Sequence, residues 1–269
     1  MPNTPSSATD DRYQVQSVAR AARLLNIVAN RGPEGLNVTE IAEQLAVAKS
    51  TALSLARTLA SAGLLRTVEP GPRYVLGLNL LRLGDLVGQQ TSIAEVGLPI
   101  LRELSSATGM TARLAMNEAG YPVFLERIDG EGSIRFHAPL GQREEPHATA
   151  AGKAILAYLD GDDVRQLLAQ AALTRFTPKT LTDATSLMTE LDRVRSEGYS
   201  LDDEEEAEGV FCVGAAFFGH HGGCVGALSV TGLKVDVSHR RVRELGLSVR
   251  DHADRLSALL GGARPDGNS

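Results

Sequence analysis

The chain lacks tryptophan, has two cysteines and contains no apolar run of about 18 residues. The absence of such a run argues against a membrane-spanning helix. Aromatic residues make up 4% of the chain, so aliphatic side chains and alanine must fill its cores. Cys212 and Cys224 are too few for a disulfide framework, and we expect free thiols in a cytoplasmic protein.

Length and charge indicate more than one domain. At 269 residues the chain exceeds the usual size of a single domain. Its net charge is −6, but residues 1–80 carry 8 lysines and arginines against 6 acidic residues, whereas the remainder carries 19 against 27. This asymmetry suits a small nucleic-acid module joined to an acidic regulatory domain. We predict a disordered tail at 1–12, a first domain at 13–77, a linker helix at 78–92, a second domain at 93–262 and a second disordered tail at 263–269.

The first quarter of the chain has the pattern of a winged helix-turn-helix. Ser17 is predicted to cap a first helix, and Asn37 and Glu40 have the spacing of a capping box for a second. A third helix is predicted over 49–62, with an apolar stripe of Leu53, Ala56, Leu59 and Ala60. Strands at 64–68 and 73–76 then form a hairpin. Three short helices followed by a hairpin predict DNA binding.

The third helix carries small hydroxyl groups and single cations, which approach phosphates and base edges without blocking a groove. A merely solvated face is the alternative. The predicted DNA-binding residues are Thr39, Lys49, Ser50, Thr51, Ser54, Arg57 and Arg73.

The C-terminal part predicts an α+β fold, an antiparallel sheet flanked by helices. Strands are predicted at 111–116, 123–128, 133–137, 211–218 and 224–230, and helices at 150–158, 162–171, 183–197 and 239–260. Small residues at 150–152 begin a helix whose free amides favour an anion, with a simple cap by Thr149 as the alternative. Ser229 and Thr231 share one strand face near Cys212 and suit a small polar pocket. The acidic run at 202–206 is predicted to be a solvated loop, except for Asp202.

These segments resemble the IclR family of bacterial regulators. The resemblance is carried by Val38-Thr39-Glu40-Ile41-Ala42, Lys49-Ser50-Thr51, the stretches at 146–154 and 198–205, and Gly226-Ala227-Leu228-Ser229-Val230-Thr231-Gly232. Ser54 stands where that family often has an arginine, so base contacts do not transfer, whereas a phosphate-binding role of residues 49–51 does.

The resemblance implies a GAF-like sensor domain and a linker helix that helps to pair subunits into a homodimer or a tetramer. It also implies a pocket for an effector. The implied effector-binding residues are Ser133, Phe136, Ala150, Ala151, Gly152, Asp202, Cys212, Ser229 and Thr231.

We therefore predict a transcriptional regulator that binds double-stranded operator DNA and responds to a small organic acid, aromatic acids included. We expect no cofactor, and the cysteines and histidines lack the spacing of a structural zinc site. The alternative is a GAF-like enzyme that uses Cys212 as a nucleophile, with its N-terminal domain for localisation on DNA. We favour the regulator because an enzyme leaves the helix-turn-helix without a role.

Overall fold

The computed structural model describes residues 15–90, 92–131, 136, 139–170, 173–235 and 237–265. The chain divides into two compact units, 1–91 and 92–269. The predicted tail at 1–12 and the predicted strand at 133–137 lie outside the described residues, except for Phe136, which belongs to neither a helix nor a strand.

The first unit contains the predicted helices and hairpin. Its elements are α1 Gln16–Arg31, α2 Val38–Leu45, α3 Lys49–Ser61, β1 Leu65–Val68, β2 Arg73–Leu76 and α4 Asn79–Gln90. Strands β1 and β2 are antiparallel, with Leu65 opposite Leu76. A short turn of left-handed backbone at Ala46 (φ 55°) separates α2 from α3, so that the two helices form the helix-turn-helix.

The capping box of α2 is confirmed, whereas the predicted cap of α1 is wrong. The Asn37 side chain accepts hydrogen bonds from the N–H groups of Thr39 and Glu40, at 2.9 and 3.0 Å, and Glu40 accepts from the Asn37 N–H at 2.7 Å. Helix α1 instead begins at Gln16, one residue before Ser17, and has no side-chain cap. The residue at the cap position is Val15, whose apolar side chain has no acceptor for the free N–H groups of the first turn.

The apolar stripe of α3 differs in register from the prediction. Ala52, Ala56 and Leu59 are its buried residues, whereas Leu53 is half-buried. Helix α3 packs against both α1 and α2, and Ala52 lies in the core between these helices. The small side chains let the helices approach, which hydrophobicity alone does not predict.

The second unit is a five-stranded antiparallel sheet with helices on both faces, within the described residues. Its strand order is β4-β3-β7-β6-β5. The strands are β3 Thr111–Glu118, β4 Tyr121–Ile128, β5 Ser200–Asp203, β6 Val210–Phe218 and β7 Cys224–Leu233. The helices are α5 Ile93–Thr108, α6 Ala150–Leu156, α7 Gly161–Gln170, α8 Ala184–Glu197 and α9 His239–Leu259.

The two faces of this sheet differ in chemistry. One face packs on α5 and α9 through an aliphatic core that includes Leu114, Val213 and Leu228. The other packs on α6 through a smaller cluster around Phe124 and Ile155. Side chains alternate between the faces along each strand, so the polar residues among the strands collect on the α6 face.

Candidate DNA-binding surface and effector site

The predicted DNA-binding residues of α3 lie on one side of that helix. Lys49, Ser50, Ser54 and Arg57 are exposed, and Thr51 is half-buried. The opposite side of α3 is buried in the core of the unit. Thr39 lies in the first turn of α2, half-buried, with its N–H bonded to the Asn37 cap. The surface of α3 therefore presents two exposed cations, Lys49 and Arg57, and short hydroxyl groups in one strip.

Arg73 on the wing is engaged inside its own unit. Its guanidinium donates to the carbonyls of Glu34 at 2.8 Å and Gly35 at 3.0 Å, and forms an ion pair with Glu40 at 3.0 Å. These contacts tie β2 to the start of α2. They favour a structural role for Arg73 over the predicted contact with DNA.

The predicted effector residues of the sheet lie in two rows across adjacent strands. The register aligns Thr111, Thr231, Cys212 and Asp202 in one row. The neighbouring row holds Arg113, Ser229, Gly214 and Ser200. All of these residues are on the α6 face, and the Sγ of Cys212 lies 3.3 Å from the Oγ1 of Thr231.

The start of α6 lies directly over the second row. A Cβ atom on Gly214 would be 2.8 Å from the carbonyl oxygen of Ala150, and Ser200 donates a hydrogen bond to that oxygen at 2.6 Å. The fold therefore brings Ala150 and Ala151 to the predicted sheet residues. Phe136 is half-buried, and its carbonyl accepts a hydrogen bond from Arg127 on β4 at 3.3 Å. Ser133 lies outside the described residues.

Gly152 serves packing at the start of α6. Thr149 caps the helix by accepting from the Gly152 N–H at 3.1 Å, which is the alternative considered for this motif. A Cβ at Gly152 would lie 2.3 Å from the Cα of Pro146, so a side chain would not fit. The amide of Gly152 is thus occupied, while those of Ala150 and Ala151 have no acceptor among the described residues.

Several buried polar atoms on this face have no hydrogen-bond partner within the described structure. They include the Oγ of Ser229, the Oδ2 of Asp202, the Nε of Arg113 and the Oε2 of Glu144. Ser229 and Asp202 are each 1% exposed. Burial raises the pKa of Asp202 to about 6, although the Glu205 N–H and the Lys153 charge act in the opposite direction. Buried polar groups are nearly always hydrogen-bonded, and each one left unpaired costs about 1–3 kcal/mol.

Sequence reasoning missed Arg113 and Glu144. The Arg113 guanidinium is buried, lies 4.0 Å above the Phe124 ring and forms an ion pair with Glu144 at 3.3 Å. Burial raises the pKa of Glu144. The available signal was an arginine two positions after Thr111 in an otherwise apolar strand, because both side chains then lie on the same face.

The acidic run at 202–206, which begins within β5, is not a solvated loop, and this corrects the prediction. Ser200–Asp203 form the edge strand β5, and Glu205 is buried against the fully buried Lys153 of α6. Burial raises the pKa of Glu206 to about 7, and the nearby Glu144 charge adds to the rise. The sequence pattern does not predict this strand, because its buried side chains, Ser200 and Asp202, are polar and not apolar.

The chemistry of Cys212 argues against the enzymatic alternative. Both cysteines are free, and burial raises the pKa of the Cys212 thiol far above neutrality, with Asp202 adding to the effect. A neutral, buried thiol is a poor nucleophile. In the described ranges, no group of three or more histidine, cysteine or acidic residues has the geometry to hold a metal ion. None of the described helices combines the length and apolar character needed to cross a membrane.

Comparison with known proteins matches each of the two units to a domain of the same protein family. A model of the IclR helix-turn-helix domain matches residues 17–69, and a model of the bacterial transcriptional regulator IclR C-terminal domain matches residues 86–258. The HTH-type transcriptional regulator BhcR of Paracoccus denitrificans is 32% identical over 248 residues, covering 92% of this chain and 88% of BhcR. The transcriptional repressor IclR of Escherichia coli is 31% identical over 253 residues, covering 93% and 92%.

A solved structure shares the architecture. A putative IclR transcriptional regulator from Silicibacter sp. superposes with a TM-score of 0.84 at 27% identity, covering 93% of this chain and 98% of the other. The predicted fold class, a helix-turn-helix joined to an α/β domain with an antiparallel sheet, is thereby confirmed. This chain belongs to the IclR family of bacterial transcriptional regulators.

Proposed function

We propose that this DNA-binding regulator changes its affinity for an operator when a small organic acid binds on the α6 face of the C-terminal sheet. One observation carries the proposal: within the described residues, the Oγ of Ser229 and the Oδ2 of Asp202 are buried without a hydrogen-bond partner beside the start of α6. A ligand that supplies the missing partners would offset their desolvation and so gain affinity.

Several groups near the start of α6 can donate to a carboxylate. The N–H groups of Ala150 and Ala151 have no acceptor among the described residues, and the hydroxyls of Ser229 and Thr231 lie on the sheet below. Phe136, whose carbonyl accepts a hydrogen bond from Arg127 of the same sheet, is proposed to contact an apolar or aromatic body of the ligand. Asp202 must be protonated or accept from a donor on the ligand, since two negative charges repel in a buried site.

Replacement of the sheet hydroxyls is expected to weaken effector binding. Ser229→Ala and Thr231→Val should each cost about 1–3 kcal/mol, or roughly 5- to 150-fold in Kd, because the ligand loses a buried hydrogen bond. Calorimetric titration with an acid found by thermal-shift screening measures this loss. Thr189→Val is the matched control, because Thr189 is an exposed hydroxyl on α8. Wild-type affinity in both sheet variants would place the ligand elsewhere.

The strip on α3 is proposed to contact the phosphates of DNA. Lys49 and Arg57 are exposed cations, flanked by Ser50 and Ser54 on the same helix. Phosphate contacts release counterions, so each one lost reduces the salt dependence of binding by about one unit of slope.

We therefore expect Lys49→Ala and Arg57→Ala each to weaken operator binding and to lower the salt slope by about one. Electrophoretic retardation over a series of salt concentrations measures both quantities. Arg165→Ala is the control, since this exposed arginine lies on α7 of the other unit. If the slope is unchanged in both α3 variants, these residues are not in the interface.

Assembly into a homodimer or a tetramer completes the proposal. Leu81, Leu83 and Leu86 are exposed along α4, with 68%, 40% and 38% of their surface accessible. Exposed leucines on a helix favour burial against another copy, and Leu83 and Leu86, three residues apart, share one face. A dimer that binds DNA in this way calls for inverted half-sites in the operator.

A further inference from the structure

We propose that Arg113 and Asp202 select the class of effector: a small carboxylic acid that also carries a hydroxyl or amino donor. This inference rests on the proposed function and specifies its ligand. In this proposal Arg113 binds the carboxylate of the ligand. Asp202 and Glu144 accept hydrogen bonds from the hydroxyl or amino group of the ligand.

Two donors without partners in the described structure lie side by side on adjacent strands. Arg113 on β3 is directly opposite Ser229 on β7 in the register, and both side chains lie on the α6 face. The Nε of Arg113 and the Oγ of Ser229 are buried without partners in the described structure. The guanidinium is held in place by the Phe124 ring and by Glu144. A planar, preoriented guanidinium with an unused N–H suits a carboxylate.

Two unpartnered acceptors accompany these donors. The Oδ2 of Asp202 and the Oε2 of Glu144 are buried and accept nothing within the described residues, although the Oδ1 of Asp202 accepts from the Glu205 N–H at 2.7 Å. A plain carboxylic acid has no donor once it is ionised. Wherever Asp202 and Glu144 are ionised, it would leave both oxygens unpaired and would add a further negative charge beside them.

A bifunctional acid meets both requirements at once. Its carboxylate accepts from Arg113 and Ser229, and its hydroxyl or ammonium group donates to the acidic side chains. Sites built around a donor or acceptor reject analogues that lack the matching group by large factors, because the protein group is then left buried and unpaired. The acidic side chains therefore lower the affinity of the site for carboxylic acids that lack a hydroxyl or amino group.

Matched sets of acids test this inference on the full-length protein. The probes are butyrate with 3-hydroxybutyrate and 3-aminobutyrate, propionate with lactate and alanine, hexanoate with gluconate, and benzoate with its hydroxy and amino derivatives. We expect a hydroxy or amino member of a set to bind at least about 10-fold more tightly than its plain partner, as measured by calorimetry. The comparison between the hydroxy and amino members identifies which donor the site accepts.

Variants then assign the roles. Arg113→Met should weaken the tightest-binding probe by at least about 30-fold, and Arg113→Lys should restore part of the affinity because it keeps the charge but not the fork. Asp202→Asn should reduce the preference for the donor-bearing acid over its plain partner, since the amide retains one acceptor but loses the charge. Arg143→Met is the control, because Arg143 is exposed and pairs with Glu118. Circular dichroism verifies folding, and if Arg113→Met unfolds, the lysine and Asp202 variants carry the test.

The outcomes separate this inference from the proposed function. If plain acids bind as tightly as their partners, or if the Arg113 and Asp202 variants keep wild-type affinity and preference while Ser229→Ala loses affinity, the inference fails and the organic-acid pocket stands. If no acid in any set binds, the proposed function fails as well.

Discussion

A chain that begins at Ser92 is expected to lose specific operator binding completely while remaining folded. The buried residues of the N-terminal core lie between Leu24 and Val75, and the three C-terminal clusters contain none of them. Truncation before Ser92 therefore removes one core whole and leaves the others intact. Because the exposed face of α3 is lost, the affinity for an operator should fall by at least about 10³-fold, to the level of non-specific binding.

Electrophoretic retardation measures the affinity of the truncated chain for operator DNA, and calorimetric titration measures its affinity for the effector. The truncated chain should keep the effector affinity of the full-length protein, since the polar rows and α6 lie within residues 92–269. Full-length protein with Arg165→Ala serves as the reference for intact binding. Retention of specific retardation by the truncated chain would contradict the assignment of DNA binding to the first unit.

Among the single substitutions proposed here, Lys153→Met is expected to cause the largest loss of folding stability. Lys153 is 0% exposed and forms its ion pair with Glu205, whose side chain is 10% exposed; Glu190 lies 3.9 Å from the same amine. Removing the cation leaves the Glu205 carboxylate buried and unpaired. Breaking a buried pair in this way costs about 3–5 kcal/mol, or roughly 10 °C in the melting temperature of a unit of this size.

This loss should depend on pH in a defined direction. Burial raises the pKa of Glu205 to about 7, above its ordinary value, so the folded state holds this proton more tightly than the unfolded state. Losing the Lys153 charge raises that pKa further. The destabilisation should therefore be greatest near pH 8, where Glu205 would have to be ionised, and smaller near pH 5.5, where it is protonated in both proteins.

Thermal melts at the two pH values, followed by circular dichroism, test this prediction. The double variant Lys153→Met/Glu205→Leu should recover most of the stability, because apolar side chains replace a buried pair with little or no cost. Lys179→Met is the matched control: Lys179 also pairs with the acidic segment, but it is half exposed and should matter little. A Lys153→Met protein as stable as wild type at pH 8 would show that the pair contributes nothing.

Local signals in the sequence determined the architecture of this protein. Helix α2 and its capping box could be predicted because Asn37 and Glu40 are three residues apart and bond to each other's backbone. The hairpins could be predicted because alternating residues and intervening turns are also local patterns. Ser229 and Thr231 were correctly placed on one face of a strand for the same reason.

The tertiary structure alone decided the chemistry of the candidate site. Arg113 meets Glu144 across 31 positions, and Lys153 meets Glu205 across 52, through strand register and the placement of α6 on the sheet. The burial of Glu205 has the same origin: consecutive charged residues are typical of a solvated loop, and only the contact with the distant, buried Lys153 shows otherwise. Periodicity reports which face a side chain is on, but the charges that share that face come from separate strands and loops. Their pKa values and missing partners depend on distances that only the folded chain sets.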